Sequence, residues 1–122
     1  MGELRIGVDL VETDRIAATL KRHGDRFVRK VYTTGEAAYC RTKYGAASWA
    51  ARFAAKEALC KALGHQGPPP RWTDVEVVLD PRGRPSLQLT GRAAELAGGA
   101  RVEVTLSHTH HHAVAVVVLV EP

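Results

Sequence analysis

The sequence predicts an α+β fold in which a mainly antiparallel sheet packs on a long central helix. Three observations lead to this fold: a strand-like segment at 4–10, an alanine-rich helical segment at 46–63, and two pairs of strand-like segments between residues 75 and 120. Strands joined by short turns pair antiparallel, because a parallel pair needs a crossover of about a dozen residues or more. Helices that stand between one strand and two hairpins give the element order of an α+β fold.

Short helices are predicted between the first strand and the central helix. Apolar residues recur at helical spacing after Thr13, and Gly24 marks the end of this helix. A second short helix is expected at 25–31. Thr33 stands three residues before Glu36, which predicts a capping box at the start of a third helix.

The central helix, predicted at 46–63, ends before Gly64, a residue type that commonly terminates helices. Three successive prolines make residues 65–70 a loop, because proline cannot continue a helix. Residues 75–79 and 85–89 flank a turn-forming segment and predict a β-hairpin.

The last part of the sequence is expected to form a short helix and a second hairpin. Thr90 is the predicted cap of that helix. Residues 101–107 alternate apolar and polar side chains, as in a strand with one buried face, whereas residues 113–120 are apolar throughout. A continuously apolar strand is typical of the centre of a sheet, so we expect 113–120 to be buried on both faces.

Composition and charge indicate a globular chain with acidic or phosphorylated partners. Of the 122 residues, 45% are hydrophobic and 25% are charged, values that suit a single domain spanning residues 1–122. The net charge of +4 attracts nucleic acid, acidic proteins or phosphorylated ligands. Nucleic acid is less favoured than an acidic partner, because no aromatic residues interleave with the basic ones.

Targeting and cysteine patterns favour a cytoplasmic protein with no membrane partner. The first ten residues lack the basic and apolar regions of a signal peptide, and the longest apolar run, 113–120, is too short to span a bilayer. Cys40 and Cys60 lack the spacing of a metal-binding or redox pair. Cys60 falls on the apolar stripe of the central helix, which predicts a buried, reduced thiol.

Four charged residues interrupt the otherwise apolar central helix: Arg52, Lys56, Glu57 and Lys61. On a helical wheel Lys56 lies among the large apolar side chains with Arg52 at their margin, while Glu57 and Lys61 share the adjacent flank. One interpretation is an ion pair between Glu57 and Lys61, which stand four residues apart in the favourable order. The alternative is that these side chains bind a ligand, because alanines surround them where a solvated face would carry polar residues.

Asp9 and Glu57 are candidate ligands of a metal ion. Asp9 ends the first strand, where a turn or capping role is the simpler interpretation. Two carboxylates from two rigid elements, with cationic side chains nearby, suit Mg²⁺, which completes its shell with water and substrate phosphates. Lys61, Lys56 and Arg52 would then neutralise the remaining phosphate charge.

Histidines and arginines supply two further candidate sites. In an extended strand His108, His110 and His112 point to one face, where three imidazoles could bind zinc; the other interpretation is an exposed hairpin turn with His108 on the inward face. Arg15 and Arg22 stand seven residues apart and share a helix face. That face is either solvated or docks an acidic partner.

Four segments in a set order resemble a known family. GVDLVETDRI near the start, WAARFAAKEALCKALG in the middle, the D-x-x-G-x-P hairpin at 80–85 and LSHTHHHAVAVVV near the end are similar to the holo-acyl-carrier-protein synthases, the short class of 4′-phosphopantetheinyl transferases. The F-x-x-K-E-x-x-x-K core begins at Phe53, and the upstream G-x-D runs from Gly7 to Asp9. The resemblance spans nearly the whole chain and implies the fold of that family.

The resemblance implies Mg²⁺-dependent transfer of the phosphopantetheine arm of coenzyme A to a serine of an acyl carrier protein, with release of adenosine 3′,5′-bisphosphate. It implies that Asp9 and Glu57 bind the metal, that Lys61 lies near the pyrophosphate and that His108 lies by the coenzyme. It also implies a homotrimer with coenzyme bound between subunits. The base is left open between Glu57 and a metal-bound water, and carriers of fatty acid and of polyketide synthesis both fit.

Carrier proteins of this kind are acidic, so Arg15 and Arg22 are the expected docking residues. The chain departs from the family where residues 65–70 replace a glycine-rich segment and where Thr109 replaces an acid of many relatives. The further acid of the longer, two-lobed relatives is Val11 here. The competing hypothesis is a non-catalytic, basic, trimeric module that binds an acidic protein or a nucleotide.

Overall fold

The computed structural model describes residues 2–64 and 67–122, which form five strands and five α-helices. Strand β1 is Leu4–Glu12, and helices α1, α2 and α3 are Thr13–His23, Asp25–Val31 and Thr34–Arg41. The central helix α4 is Ala47–Leu63, and a short 3-10 turn at Trp72–Asp74 leads to strands β2 and β3, Val75–Leu79 and Pro85–Leu89. Helix α5 is Gly91–Ala97, and strands β4 and β5 are Arg101–His108 and His112–Val120.

Two antiparallel sheets hold the strands, which confirms the predicted fold class. The larger sheet has the order β1-β5-β4, so that β5 is its central strand, as the apolar sequence of β5 predicts. The hairpin of β2 and β3 forms the smaller sheet. In the larger sheet Leu10 of β1 pairs with Val114 of β5, and His108 of β4 pairs with Ala113.

Helix α4 packs on the inner face of the larger sheet, where small residues allow a close approach. The inward residues of β5 are all buried: Ala113, Ala115, Val117 and Leu119. A Cβ at Gly7 of β1 would lie 1.9 Å from the carbonyl oxygen of Ala58, so only glycine fits against the helix there. Gly7 therefore sets the distance between β1 and α4.

The prediction that β5 is buried on both faces is wrong. Successive side chains of a strand point to opposite faces, and α4 covers only one of them. The outward residues form an apolar surface, called here the outer face: Leu4, Ile6, Val8 and Leu10 of β1 with Val114, Val116, Val118 and Val120 of β5. The four residues from β1 are exposed by 51% to 66%. The outward residues of β5 are partly exposed, and within residues 2–64 and 67–122 those of β1 have no cover.

Two capping predictions have different outcomes. The capping box is confirmed, since the Glu36 amide donates to the Thr33 hydroxyl and the Thr33 amide donates to the Glu36 carboxylate. Thr90 stands at the N-cap position of α5 as predicted, but its hydroxyl accepts from no amide of that helix and instead donates to the carbonyl of Asp74.

The predicted loop at 65–70 is only partly covered by the structure. His65 and Gln66 lie outside the described residues, and residues 67–70 form neither helix nor strand, as predicted. No helix in the described part of the chain is long and apolar enough to cross a membrane.

Candidate active site

Three of the predicted site residues meet where β1 crosses α4: Asp9, Glu57 and Lys61. The Lys61 ammonium nitrogen lies 3.1 Å from a carboxylate oxygen of Asp9 and donates to the carbonyl of Val8 at 3.0 Å. Lys61 therefore pairs with the strand, and the ion pair within the helix to Glu57 is wrong. The close approach at Gly7 brings these side chains within reach of one another.

The electrostatic environment of Glu57 shows which charges surround it. Burial raises the pKa of this half-buried carboxyl, and the negative charge of Asp9 raises it further. The cations Lys61 and Arg15 act in the opposite direction. Arg15, which the sequence indicated only as a docking residue, thus lies on the same side of the molecule as the two acids.

The donor chemistry of this site fits Mg²⁺. Asp9 and Glu57 offer hard carboxylate oxygens from two rigid elements, and their charges interact closely enough to perturb the pKa of Glu57. Among the described residues no cluster of three or more Asp, Glu, His or Cys side chains forms, so zinc-type ligation finds no support there. A protein usually contributes one or two carboxylates to a magnesium shell, which substrate and water complete.

A cavity of about 300 Å³ opens beside Glu57, lined by Lys56, Glu57, Cys60, Pro69, Pro70, Arg71, Trp72 and Val75. Cys60 is half-exposed on its wall, so the prediction of a buried thiol is wrong for this residue. Burial and the charge of Glu57 both raise the pKa of the Cys60 thiol. The buried thiol is Cys40, whose pKa burial raises to about 11.

Lys56 lies in the core, with 1% of its side chain exposed. Its nitrogen lies 2.7 Å from a carboxylate oxygen of Glu36 and donates to the carbonyls of Trp72 and Val75. An ammonium group has three N–H donors, and these three oxygens engage all of them. Desolvation lowers the pKa of Lys56 and the Glu36 carboxylate opposes that shift. The structure therefore contradicts the prediction that Lys56 faces phosphate.

The sequence identifies Glu36 only as part of a capping box and not as the partner of Lys56. Its capping pattern explains one role, but a capping glutamate needs no burial, whereas Glu36 is 1% exposed. The signal that could have found it is Lys56 itself, because a lysine on an apolar helix stripe needs a buried acid.

Arg52 is also buried, with 4% exposed, and its guanidinium stacks 4.3 Å from the ring centre of Tyr39. One of its terminal nitrogens donates to the carbonyl of Ser48, while the Nε atom has no partner among the described residues. Arg52 does not line the cavity beside Glu57. The structure thus does not bring it together with Asp9 and Glu57.

His108 ends β4 beside a second cavity of about 570 Å³ at the amino end of α4. Its walls are Tyr44, Gly45, Ala46, Ala47, His108, Thr109 and His110. Ala46 at the cap position offers no side-chain acceptor, so the first amides of α4 lack a side-chain cap. Within one chain, His108 and Glu57 line different cavities.

The zinc hypothesis for the histidine run is wrong, because the strands end at His108 and begin again at His112. The residues between them form the exposed hairpin turn of the other interpretation, closed by a 2.8 Å bond from the Thr109 amide to the His112 carbonyl. No single face therefore presents all three side chains.

Exposed cations continue from α1 along α2. We call this the basic surface: Arg15, Arg22, Arg26, Arg29 and Lys30, all exposed. Because Arg15 acts on the charge of Glu57, one end of the basic surface adjoins the two acids. An acidic partner bound to it would lie beside the candidate site.

Known proteins resemble the chain over almost its full length. The model of the 4′-phosphopantetheinyl transferase superfamily matches residues 5–117. A holo-[acyl-carrier-protein] synthase of Koribacter versatilis is 46% identical over 121 residues, 95% of this chain and 97% of that protein. A solved ACPS–CoA complex of Chronobacterium ammoniagenes has a TM-score of 0.87 at 32% identity and covers 98% of both chains. A holo-[acyl-carrier-protein] synthase of Helicobacter pylori in complex with coenzyme A has a TM-score of 0.82 at 29% identity, covering 93% of this chain and 98% of that one.

Proposed function

Because the chain belongs to the 4′-phosphopantetheinyl transferase superfamily, we propose that it transfers the 4′-phosphopantetheine group of coenzyme A to a serine of an apo acyl carrier protein. Adenosine 3′,5′-bisphosphate is the second product. The observation that carries the proposal is the meeting of Asp9, Glu57 and Lys61 where β1 crosses α4. The proposal includes the cytoplasmic location predicted from the sequence.

Asp9 and Glu57 bind Mg²⁺ in this proposal, and the ion when bound neutralises and aligns the pyrophosphate of the coenzyme. The serine oxygen forms a bond to the β-phosphorus, and the bond from that phosphorus to the bridging oxygen breaks. The exposed ammonium of Lys61 donates to the departing phosphate oxygen. The serine proton passes to Glu57 or to water bound at the site.

The chain acts as a homotrimer with each coenzyme held between two subunits. The uncovered outer face supports association, because contiguous apolar surface of this kind marks protein interfaces. His108 and Glu57 line separate cavities of one chain, so His108 reaches the coenzyme from a neighbouring subunit. Arg52 adds positive charge near the second cavity. Its guanidinium donates to the carbonyl of Ser48, which follows the cavity residue Ala47 in α4.

One assay tests the activity. The protein is mixed with coenzyme A, Mg²⁺ and an apo carrier protein, and the mass of the carrier is measured by mass spectrometry. A mass increase of one phosphopantetheine is expected, carriers of fatty acid and of polyketide synthesis being compared side by side. Binding of the carrier without a mass increase favours the competing hypothesis of a non-catalytic, basic, trimeric module.

Variants assign the metal ligands. Asp9→Ala and Glu57→Gln are expected to fold and to lose transfer by orders of magnitude even with Mg²⁺ in excess. Glu95→Gln makes the same change from acid to amide at an exposed position of α5 and should remain active. Substantial activity in either site variant contradicts the assignment of Asp9 and Glu57.

A further inference from the structure

Glu36 of α3 and Lys56 of α4 form an ion pair in the core, with 0% and 1% of their side chains exposed. The charged atoms lie 2.7 Å apart. The remaining donors and acceptors of the pair are also satisfied. Glu36 accepts from the amides of Thr33 at 2.9 Å and Val77 at 2.8 Å. Such a complete set of partners is needed for a buried ion pair to persist, because each charge has lost its water.

The pair joins both walls of the cavity beside Glu57. Lys56 directly precedes Glu57 on α4, and its other two hydrogen bonds go to the carbonyls of Trp72 and Val75 on the facing wall. The Trp72 ring stacks on Phe53 of α4 with ring centres 5.0 Å apart. The rotation of α4 and its distance from residues 72–77 are therefore fixed at the position of Glu57.

We propose that the Glu36–Lys56 pair is a positioning element of the transferase, which holds Glu57 and the facing wall of its cavity in register. Lys56 acts through Glu57 and does not contact the coenzyme. This inference rests on the proposed function. Its competitor is the interpretation that Lys56 leaves the core and binds phosphate, in which case Glu36 has no part in the reaction.

A double-mutant cycle separates the two. Glu36→Gln and Lys56→Met should each lower kcat about 10–100-fold, the usual effect of losing a group that orients a metal ligand. The affinity for coenzyme A, measured by calorimetry, should stay unchanged in both. The double variant should be no worse than the single ones, because either change already breaks the same pair. Additive losses, or a weaker coenzyme affinity in Lys56→Met beside a normal kcat in Glu36→Gln, overturn the proposal.

Controls address stability and folding. Leu119→Ala, a truncation in the core of β5, should lower the melting temperature while kcat is retained, which shows that lost stability alone does not reproduce the effect. Lys61→Met, at a lysine placed on the coenzyme, should weaken coenzyme binding. If Lys56→Met does not fold, Glu36→Gln decides alone, since a normal kcat in that variant overturns the proposal.

A second measurement stays informative whatever the activity. Amide hydrogen exchange at Val77, whose N–H donates to Glu36, should rise in Glu36→Gln and in Lys56→Met but not in Glu95→Gln. Unchanged exchange overturns the positioning role. Absence of transfer by the wild-type protein overturns the proposed function instead, so the two failures are distinguishable.

Discussion

Glu57 combines two features that oppose ionisation: it is half-buried and it stands near the carboxylate of Asp9. Both features raise its pKa above the ordinary value of 4.5, and Lys61 and Arg15 offset the effect only in part. The folded protein therefore binds a proton at Glu57 more readily than the unfolded chain. By linkage, its contribution to stability falls as pH rises from the unfolded pKa through the folded pKa.

Replacement of Glu57 by glutamine should consequently stabilise the metal-free protein near neutral pH. Melting temperatures in the presence of a chelator should be higher for Glu57→Gln than for wild type. The difference should vanish at acid pH, where the wild-type carboxyl is protonated too. Glu95→Gln, at an exposed position, should show no such pH dependence. A variant that melts at or below the wild-type temperature near neutral pH would contradict the environment assigned to Glu57.

At the scale of elements, α4 shows what the sequence could predict. Its span, its stop at Gly64 and its shared flank of Glu57 and Lys61 follow from residues close in sequence. The partners of these charges do not, because Asp9 and Glu36 are brought to α4 by other elements. Local sequence patterns thus predicted the helix correctly, but they led to the wrong prediction that Lys56 faces phosphate.

The crossing of β1 and α4 depends on Gly7. Gly7→Ala should lower the free energy of unfolding by about 1–3 kcal/mol, the usual effect of overpacking, because the new Cβ meets the carbonyl of Ala58. Displacement of Asp9 from Glu57 by about 1 Å should reduce kcat about 100-fold. Denaturant titration and the mass assay measure both effects.

Gly99→Ala is the matched control, since a Cβ there makes only an ordinary contact of 3.5 Å with Pro122. It should leave stability and activity nearly unchanged. Equal behaviour of the two alanine variants would show that the close approach at Gly7 does not position Asp9.

Helix α1 carries the end of the basic surface that adjoins the acids. Arg15→Glu should raise the KM for carrier protein, with an effect that shrinks as salt rises, because attraction between exposed charges is screened over about 8–10 Å. Affinity for coenzyme A should change little. Arg82→Glu reverses the same charge in the exposed turn between β2 and β3 and serves as control. A coenzyme defect with normal carrier KM would place docking elsewhere.

At the scale of the whole molecule, the outer face is where prediction and structure differ. The continuously apolar sequence of β5 predicted burial on both faces, but its outward residues are partly exposed. The pattern predicted a central strand correctly but could not show that the second cover is missing from the described chain. Ile6→Glu should therefore abolish the proposed trimer by placing a charge in the subunit contact. Light scattering should show a folded monomer without transferase activity. Ser86→Glu, at an exposed site of β3, should stay trimeric.

The shared site has its own test. Glu57→Gln and His108→Ala are each expected to be inactive as pure trimers. After subunit exchange between them, some contacts between subunits contain neither change, and activity should return. No recovery despite proven exchange would place His108 and Glu57 in the site of one subunit.

Through the proposed trimer, the outer face also links catalytic activity to the abundance of the protein. A site that two chains complete exists only where chains associate, and association obeys mass action. Specific activity then rises with protein concentration and falls on dilution, unlike that of a self-sufficient monomer. The amount of protein that a cell makes would thus set how many sites it has and, below the association threshold, whether it has any.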